Sequence, residues 1–320
     1  MPNPFIVAPM AGLTNWPYRR LCLERGAAMA VTEMASAVAL AHHGRQTLRL
    51  IATDPNLEKT LCVQLFGKDP GVLAEAAKVS VNEAGAKVID LNFCCPARKV
   101  ISSGHGGALL KDADLCRRIV AKVSESVSVP VTVKLRPGFL RLEGPMVLEL
   151  GPKLEEAGAA ALTLHPRYVS DRFEGQADWS LITRLSEAVT IPVIGSGDIH
   201  GPEEAARALA ESGAAAVMIG RASRGRPWIF RQCLEYLSSG RYRPATTSER
   251  LSAALTHARL LEAEAGPKAA YRLRSILTWY TKDLPGAAAL RAAICREDDV
   301  GRQLSLLTEA MEAGGPKVWG

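Results

Sequence analysis

Residues 61–92 read LCVQLFGKDPGVLAEAAKVSVNEAGAKVIDLN. Leu61 to Phe66 is a short aliphatic and β-branched run, Pro70 to Ala84 is amphipathic with the length of one helix, and Val88 to Asn92 is a second apolar run. A buried-type strand, a helix and another such strand in immediate succession make a parallel βαβ unit. Gly85-Ala86 stands at the junction, where glycine takes the left-handed cap that ends a helix.

Outward from this unit the pattern recurs. Phe5 to Pro9, Ala30 to Met34, Val131 to Arg136, Ala161 to His165, Val193 to Gly197 and Ala216 to Arg221 supply six more strands, with helices such as Asp112 to Ser126 and Pro202 to Glu211 between them. Gly158-Ala159 and Gly213-Ala214 repeat the junction. Eight strand–helix units ahead of residue 240 fit a closed (β/α)8 TIM barrel better than an open sheet. After Gly240-Arg-Tyr-Arg-Pro only helical periodicity remains, with Leu251, Leu255, Ala258 and Leu261 on one face and a later helix around Ala269 to Tyr280. The expected organisation is a barrel over 1–240, a linker at 241–247 and a small all-helical domain over 248–320.

Hydrophobic residues make up 48% and charged residues 22%, an ordinary globular balance. No uncharged apolar run approaches the roughly 20 residues that cross a bilayer, and the N-terminus lacks the basic and apolar regions of an export signal. A soluble, cytoplasmic, monomeric protein is expected. The seven cysteines (22, 62, 94, 95, 116, 233, 295) are scattered, without C-x-x-C spacing, so reduced thiols and no metal site are expected. A net charge of +6 favours a polyanionic partner.

In such a barrel the chemistry sits at the C-terminal ends of the strands. There the sequence has Pro9-Met10-Ala11-Gly12, Gln64, Asn92-Phe93-Cys94-Cys95-Pro96, Lys134, His165, Gly195-Ser196-Gly197-Asp198 and Gly220-Arg221. The glycine turns after the seventh and eighth strands have the form of a barrel phosphate site. A lysine inside a barrel strand is costly unless it meets an anion. The N1/C2 edge of a reduced isoalloxazine is one, so FMN would account for Lys134, Gln64 and both turns. The alternative for Lys134 is an ion pair with a barrel carboxylate.

These residues resemble the tRNA-dihydrouridine synthases, most closely the bacterial B-type branch. The resemblance runs over nearly the whole chain, through Ala8-Pro-Met-Ala-Gly-Leu-Thr-Asn, Val31-Thr-Glu-Met, Val63-Gln-Leu-Phe-Gly, Ile89-Asp-Leu-Asn-Phe-Cys-Cys-Pro-Ala-Arg-Lys-Val, Gly106-Gly-Ala-Leu-Leu, Val133-Lys-Leu-Arg and Met218-Ile-Gly-Arg-Ala-Ser-Arg-Gly-Arg-Pro-Trp-Ile-Phe. It implies FMN held by Pro9, Met10 and Ala11, by Gln64, Lys134 and His165, and by Ser196, Gly197, Asp198, Gly220 and Arg221. It further implies NADPH as reductant and Cys95 as catalytic acid. Three departures stand out: Cys94 where the family usually has glycine, Pro166 where it has His-Gly-Arg, and Ser196 where it has Asn-Gly-Asp.

Saturating the uracil C5–C6 bond needs a hydride at C6 and a proton at C5, and a thiol with an ordinary pKa is protonated at neutral pH. Cys95 suits the second role, and Cys94 is expected to point away and pack. Asn92 offers donors and acceptors to the uracil edge, or is a turn residue at a strand end. His165 is either a phosphate contact or a neutral structural residue. Lys99 and Arg98 after the acid, Arg167 and Arg172 after the sixth strand, and Arg272 and Arg274 within the acid-free stretch Gly266 to Lys282 are candidate tRNA phosphate contacts. The plainer reading of the last group is a solvated helix face. The competing function is a small-molecule FMN reductase of the dihydropyrimidine or dihydroorotate dehydrogenase kind, which would have no use for a basic helical domain.

Overall fold

The computed structural model describes residues 1–314. Nine parallel strands form one sheet: β1 (Phe5–Val7), β2 (Met29–Ala30), β3 (Ala35–Ser36), β4 (Cys62–Phe66), β5 (Val88–Phe93), β6 (Val131–Leu135), β7 (Ala161–Leu164), β8 (Val193–Ser196) and β9 (Ala216–Ile219). β4 to β9 pair in sequence order, and β9 pairs back onto β1. β2 lies against β1, and the next residue, Val31, bridges to Cys62 of β4, which closes the ring.

The second stave expected over Ala30 to Met34 is therefore split. β2 pairs with β1, while β3 pairs with the end of β4 at Leu65 and Phe66. Between them the Thr32 N–H still donates to Cys62 O at 3.0 Å, and its hydroxyl donates to Glu33 O at 2.9 Å and accepts the Gln64 N–H at 3.1 Å. Glu33, freed from pairing, accepts the Gly12 N–H at 2.5 Å.

Strand residues alternate between two surroundings, as a pleat requires. Val63, Leu65, Ile89, Leu91, Val133 and Leu135 belong to the large core beneath the helices, whereas Ile6, Val31, Cys62, Ile194 and Met218 form a small cluster filling the barrel. Each side chain so buried contributes about 1.5–3 kcal/mol. The alternate positions of β4, β5 and β6 carry Gln64, Asp90, Asn92, Thr132 and Lys134, which face one another at the catalytic end. Two of the Gly-Ala junctions behave as their chemistry dictates: Gly85 (φ 71°) and Gly213 (φ 69°) cap the helices Pro70–Ala84 and Pro202–Ser212 in the left-handed region.

Beyond Gly240 the chain is helical: Thr247–Ala265, Ala269–Tyr280, Ala287–Arg296 and Val300–Glu312. The first of these starts on a capping box, Thr246 with Glu249, so the helix begins one residue before the expected boundary at 248. The four helices share a core that includes Leu251, Leu261, Leu273, Leu277, Leu290 and Leu307, and Trp228 from the barrel side joins it. Gly225 (φ 63°) lies against the Trp279 backbone so closely that a Cβ would stand 2.5 Å from it. The expected domain also covered 315–320, which lie outside the described residues. Among the described residues no helix is long and apolar enough to cross a membrane.

Candidate active site

A cavity of about 420 Å³ opens at the C-terminal ends of the strands, within the usual range for cofactor sites. Pro9, Met10 and Ala11 from the turn after β1 line it, as do Gln64 and Lys134 from inside the strands, and His165 after β7. Ser196, Gly197, Asp198, Gly220 and Arg221 form its far wall, and Asn92 and Cys95 its floor at the end of β5.

The cavity is electropositive. Lys134 is 7% exposed and has no carboxylate within ion-pair distance among the described residues; its Nζ approaches Cys94 Sγ at 3.6 Å. Burial and the cations Lys134, Arg136, Arg167 and Arg221 push the His165 pKa well below its ordinary value, so the imidazole is neutral. Its Nε2 is buried without a partner. Backbone N–H groups of Gly197, Asp198, Gly220 and Arg221 meet no protein acceptor among the described residues. A cationic cavity with an orphaned ring nitrogen and a crescent of free N–H groups is made for an anion.

Beside it stands the thiol. Burial raises the Cys95 pKa above that of an ordinary cysteine, which keeps the proton on sulfur at neutral pH. Asn92 Oδ1 holds the turn, accepting the N–H of Cys94 at 3.1 Å and of Cys95 at 2.9 Å. From the other side Gly107 N–H donates to Cys95 O at 3.0 Å, and a Cβ on Gly106 would come within 3.1 Å of Cys95 Cβ. The Gly106-Gly107 pair is thus what allows the loop to close on Cys95.

Several expectations need correction. Cys94 does not point away: its sulfur lines the cavity against Lys134. Asn92 serves first as the turn residue, since its Oδ1 is taken by two backbone N–H groups and one Nδ2 hydrogen by Gln64 Oε1 at 2.8 Å; the other lies beside Met34 Sδ at 3.7 Å, on the cavity side. Arg167 is buried and mostly taken up by protein partners, with only its Nη1 left without one. It is 3% exposed, pairs with Asp198 at 2.8 Å and donates to the carbonyls of Glu174 and Gly175. Burial works against the Asp198 carboxylate, but the Ala177 N–H and Arg167 together hold its pKa below the usual value. Nor are the charges of the Gly266 to Lys282 stretch unopposed, because Arg274 pairs with Asp298 and donates to Glu297 O. Arg272 lies near enough to Glu33 to draw that carboxyl down against its burial. Lys99 is exposed on the short helix Arg98–Ser102, outside the cavity.

Two residues escaped the reading of single positions. Arg136, 1% exposed, donates from Nε to Cys94 O at 2.9 Å and from Nη1 to Tyr168 O and Arg172 O, tying the cysteine turn to the loop after β7. Asp90 accepts from Thr132 Oγ1 at 2.6 Å and Gln64 Nε2 at 2.7 Å, and burial pushes its pKa up to about 6. Both sit two residues from a residue already singled out, Lys134 or Asn92, so the strand period puts them on the same face.

Fold and site together define a (β/α)8 barrel with an electropositive cavity at the C-terminal ends of its strands and a protonated thiol beside it. The family model for dihydrouridine synthase matches residues 6–313, and the chain belongs to that family. It is 41% identical over 308 residues to tRNA-dihydrouridine synthase B of Pseudomonas aeruginosa, covering 95% of this chain and 91% of that protein. With the Escherichia coli (strain K12) protein of the same name it shares 38% identity over 314 residues, 97% of this chain and 95% of that one. Among solved structures, histamine dehydrogenase from Rhizobium sp. 4-9 superposes with a TM-score of 0.58 at 15% identity, over 97% of this chain and 62% of that one. A 2-naphthoyl-CoA reductase does so with a TM-score of 0.57 at 12% identity, over 75% and 50% of the two chains. At such identities the structures speak for the fold alone.

Proposed function

We propose that this chain is a cytoplasmic enzyme that reduces the C5–C6 bond of uridines in tRNA to 5,6-dihydrouridine, with FMN as its cofactor and NADPH as the source of electrons. The observation that carries the reading is the meeting, in one cavity, of free backbone N–H groups, a buried lysine without a counter-ion and a protonated thiol. A flavin held in this cavity would supply the hydride for uracil C6. The protein supplies the rest.

The crescent of N–H groups at Gly197, Asp198, Gly220 and Arg221, with neutral His165, suits the cofactor's phosphate, and Lys134 and Gln64 suit the polar edge of its ring. A uridine in folded tRNA must leave its stack to enter. As hydride reaches C6, negative charge develops toward C5 and the C4 carbonyl. The Cys95 S–H bond then breaks, a C5–H bond forms, and the thiolate left behind regains its proton from solvent. A raised thiol pKa favours the protonated starting state that this role needs. The relatives named for tRNA modification match the chain through its helical part as well as its barrel, which favours tRNA over a free pyrimidine.

The test is Cys95→Ala, followed through both half-reactions by flavin absorbance. Reduction by NADPH should keep a near-normal rate, while reoxidation by tRNA should slow by about 10²–10⁴-fold, the usual contribution of a positioned acid. Cys94→Ala should slow reoxidation by less than about tenfold. If Cys94→Ala stalls the tRNA step and Cys95→Ala does not, the acid has been assigned to the wrong sulfur.

A further inference from the structure

Across β6, β4 and β5 runs a chain of side-chain hydrogen bonds with a fixed direction. Thr132 Oγ1 and Gln64 Nε2 donate to the two oxygens of Asp90, at 2.6 and 2.7 Å. Asn92 Nδ2 donates to Gln64 Oε1 at 2.8 Å, and Asn92 Oδ1 receives the N–H groups of Cys94 and Cys95. An amide side chain can be turned over with little change in shape, so its sense comes from its partners. Here both ends are chemically committed. An ionised carboxylate only accepts and a backbone N–H only donates. Turning both amides over would set oxygen against oxygen at Asp90 and N–H against two N–H groups at the cysteine turn.

We propose that Asp90 is a positioning residue which, acting through Gln64 and Asn92, fixes the turn that carries the Cys95 thiol. This rests on the assignment of Cys95 as the acid for uridine reduction. Asp90 touches neither thiol nor ligand; it sets the sense of two amides that do the holding. The buried chain is fully satisfied as drawn, and one wrong sense anywhere would leave an unsatisfied group in the barrel.

A double-mutant cycle separates this from a merely structural role. In the wild-type background Asp90→Leu removes the acceptor, and tRNA-driven flavin reoxidation should slow about 10–100-fold with the KM for tRNA unchanged. In a Cys95→Ala background the same change should cost less than about threefold, since the group it positions is gone. Asp90→Asn, which keeps one oxygen for Gln64 and can give its amide N–H to the Thr132 hydroxyl, should lose only about three- to fivefold, again only when Cys95 is present. That variant carries the test if Asp90→Leu fails to fold or to hold flavin. Equal losses in both backgrounds, or no loss in either, overturn the proposal. Formation of dihydrouridine in tRNA by the wild-type chain is scored separately: its absence sinks the functional reading, whereas its presence with additive losses sinks only the role of Asp90.

Discussion

A guanidinium that is 3% exposed answers to its neighbours and not to solvent-borne phosphates, and Arg167 shows what the sequence hides at this scale. Read along the chain, it is a cation in a loop after a strand. In the fold it is the counter-ion of Asp198, a non-glycine residue held at φ 53° in the cavity wall. Its two nitrogens also satisfy the carbonyls of Glu174 and Gly175, which lie further along the same loop. Gln64 and Lys134 were legible because a polar group inside an apolar run must have a partner. Asp90 and Arg136 carry the same signature, yet the partners of Asp90 lie on neighbouring strands and those of Arg136 are carbonyls of the loops after β5 and β7, which only the tertiary fold brings together. Arg167→Met would leave Asp198 partly buried with only the Ala177 N–H and the more distant Arg221, 4.0 Å away, to offset its charge. We predict a loss of about 1–3 kcal/mol in stability by denaturant unfolding and weaker flavin retention. A change below about 1 kcal/mol would mean that the Ala177 N–H and Arg221 suffice to hold Asp198.

Among the elements, the helices were read most closely and the second stave least. Gly85 and Gly213 mark helix ends because a left-handed cap costs other residues energy, and Thr246 with Glu249 marks a start because two orphan donors need acceptors. No local rule says that Val31 must bridge to Cys62 while Glu33 turns out to Gly12, so a single strand over Ala30 to Met34 appears as two short pieces. The junction of barrel and helices is likewise a tertiary matter. Tyr18 donates to Ser223 O at 2.5 Å, its ring lies 5.6 Å from that of His257, and His257 Nδ1 meets Tyr280 Oη at 3.0 Å. Burial first, then Arg272, pushes the His257 pKa down to about 3. The unfolded chain binds this proton near pH 6.5 and the folded chain does not, so stability falls as pH drops below about 6.5. Between pH 7 and pH 5 the wild type should lose about 2 kcal/mol more than His257→Gln, which cannot titrate. Parallel losses in the two proteins would place the acid sensitivity elsewhere.

For the whole molecule the question is which charges meet tRNA, and net charge alone does not answer it. The surplus of +6 is spread over cations whose surroundings differ. Arg274 is paired with Asp298, from the segment after the next helix, a partner that no spacing rule reveals. Arg98 and Lys99 are exposed, follow the Cys95 turn directly and form no ion pair among the described residues. A cation already neutralised by a carboxylate gains little from a phosphate, because one partner is exchanged for another and few counter-ions leave the nucleic acid. A free cation releases them, at about 0.7–0.9 units of log–log salt slope for each phosphate it meets. Replacing Arg98 and Lys99 together by glutamine should therefore flatten the salt dependence of tRNA binding by about 1.5 units without altering flavin content, while Arg274→Gln leaves the slope nearly as it was. Binding titrations of the three proteins at several salt concentrations decide it. If Arg274→Gln flattens the slope and the Arg98/Lys99 pair does not, tRNA displaces Asp298 and runs along the helix Ala269–Tyr280 instead of past the thiol.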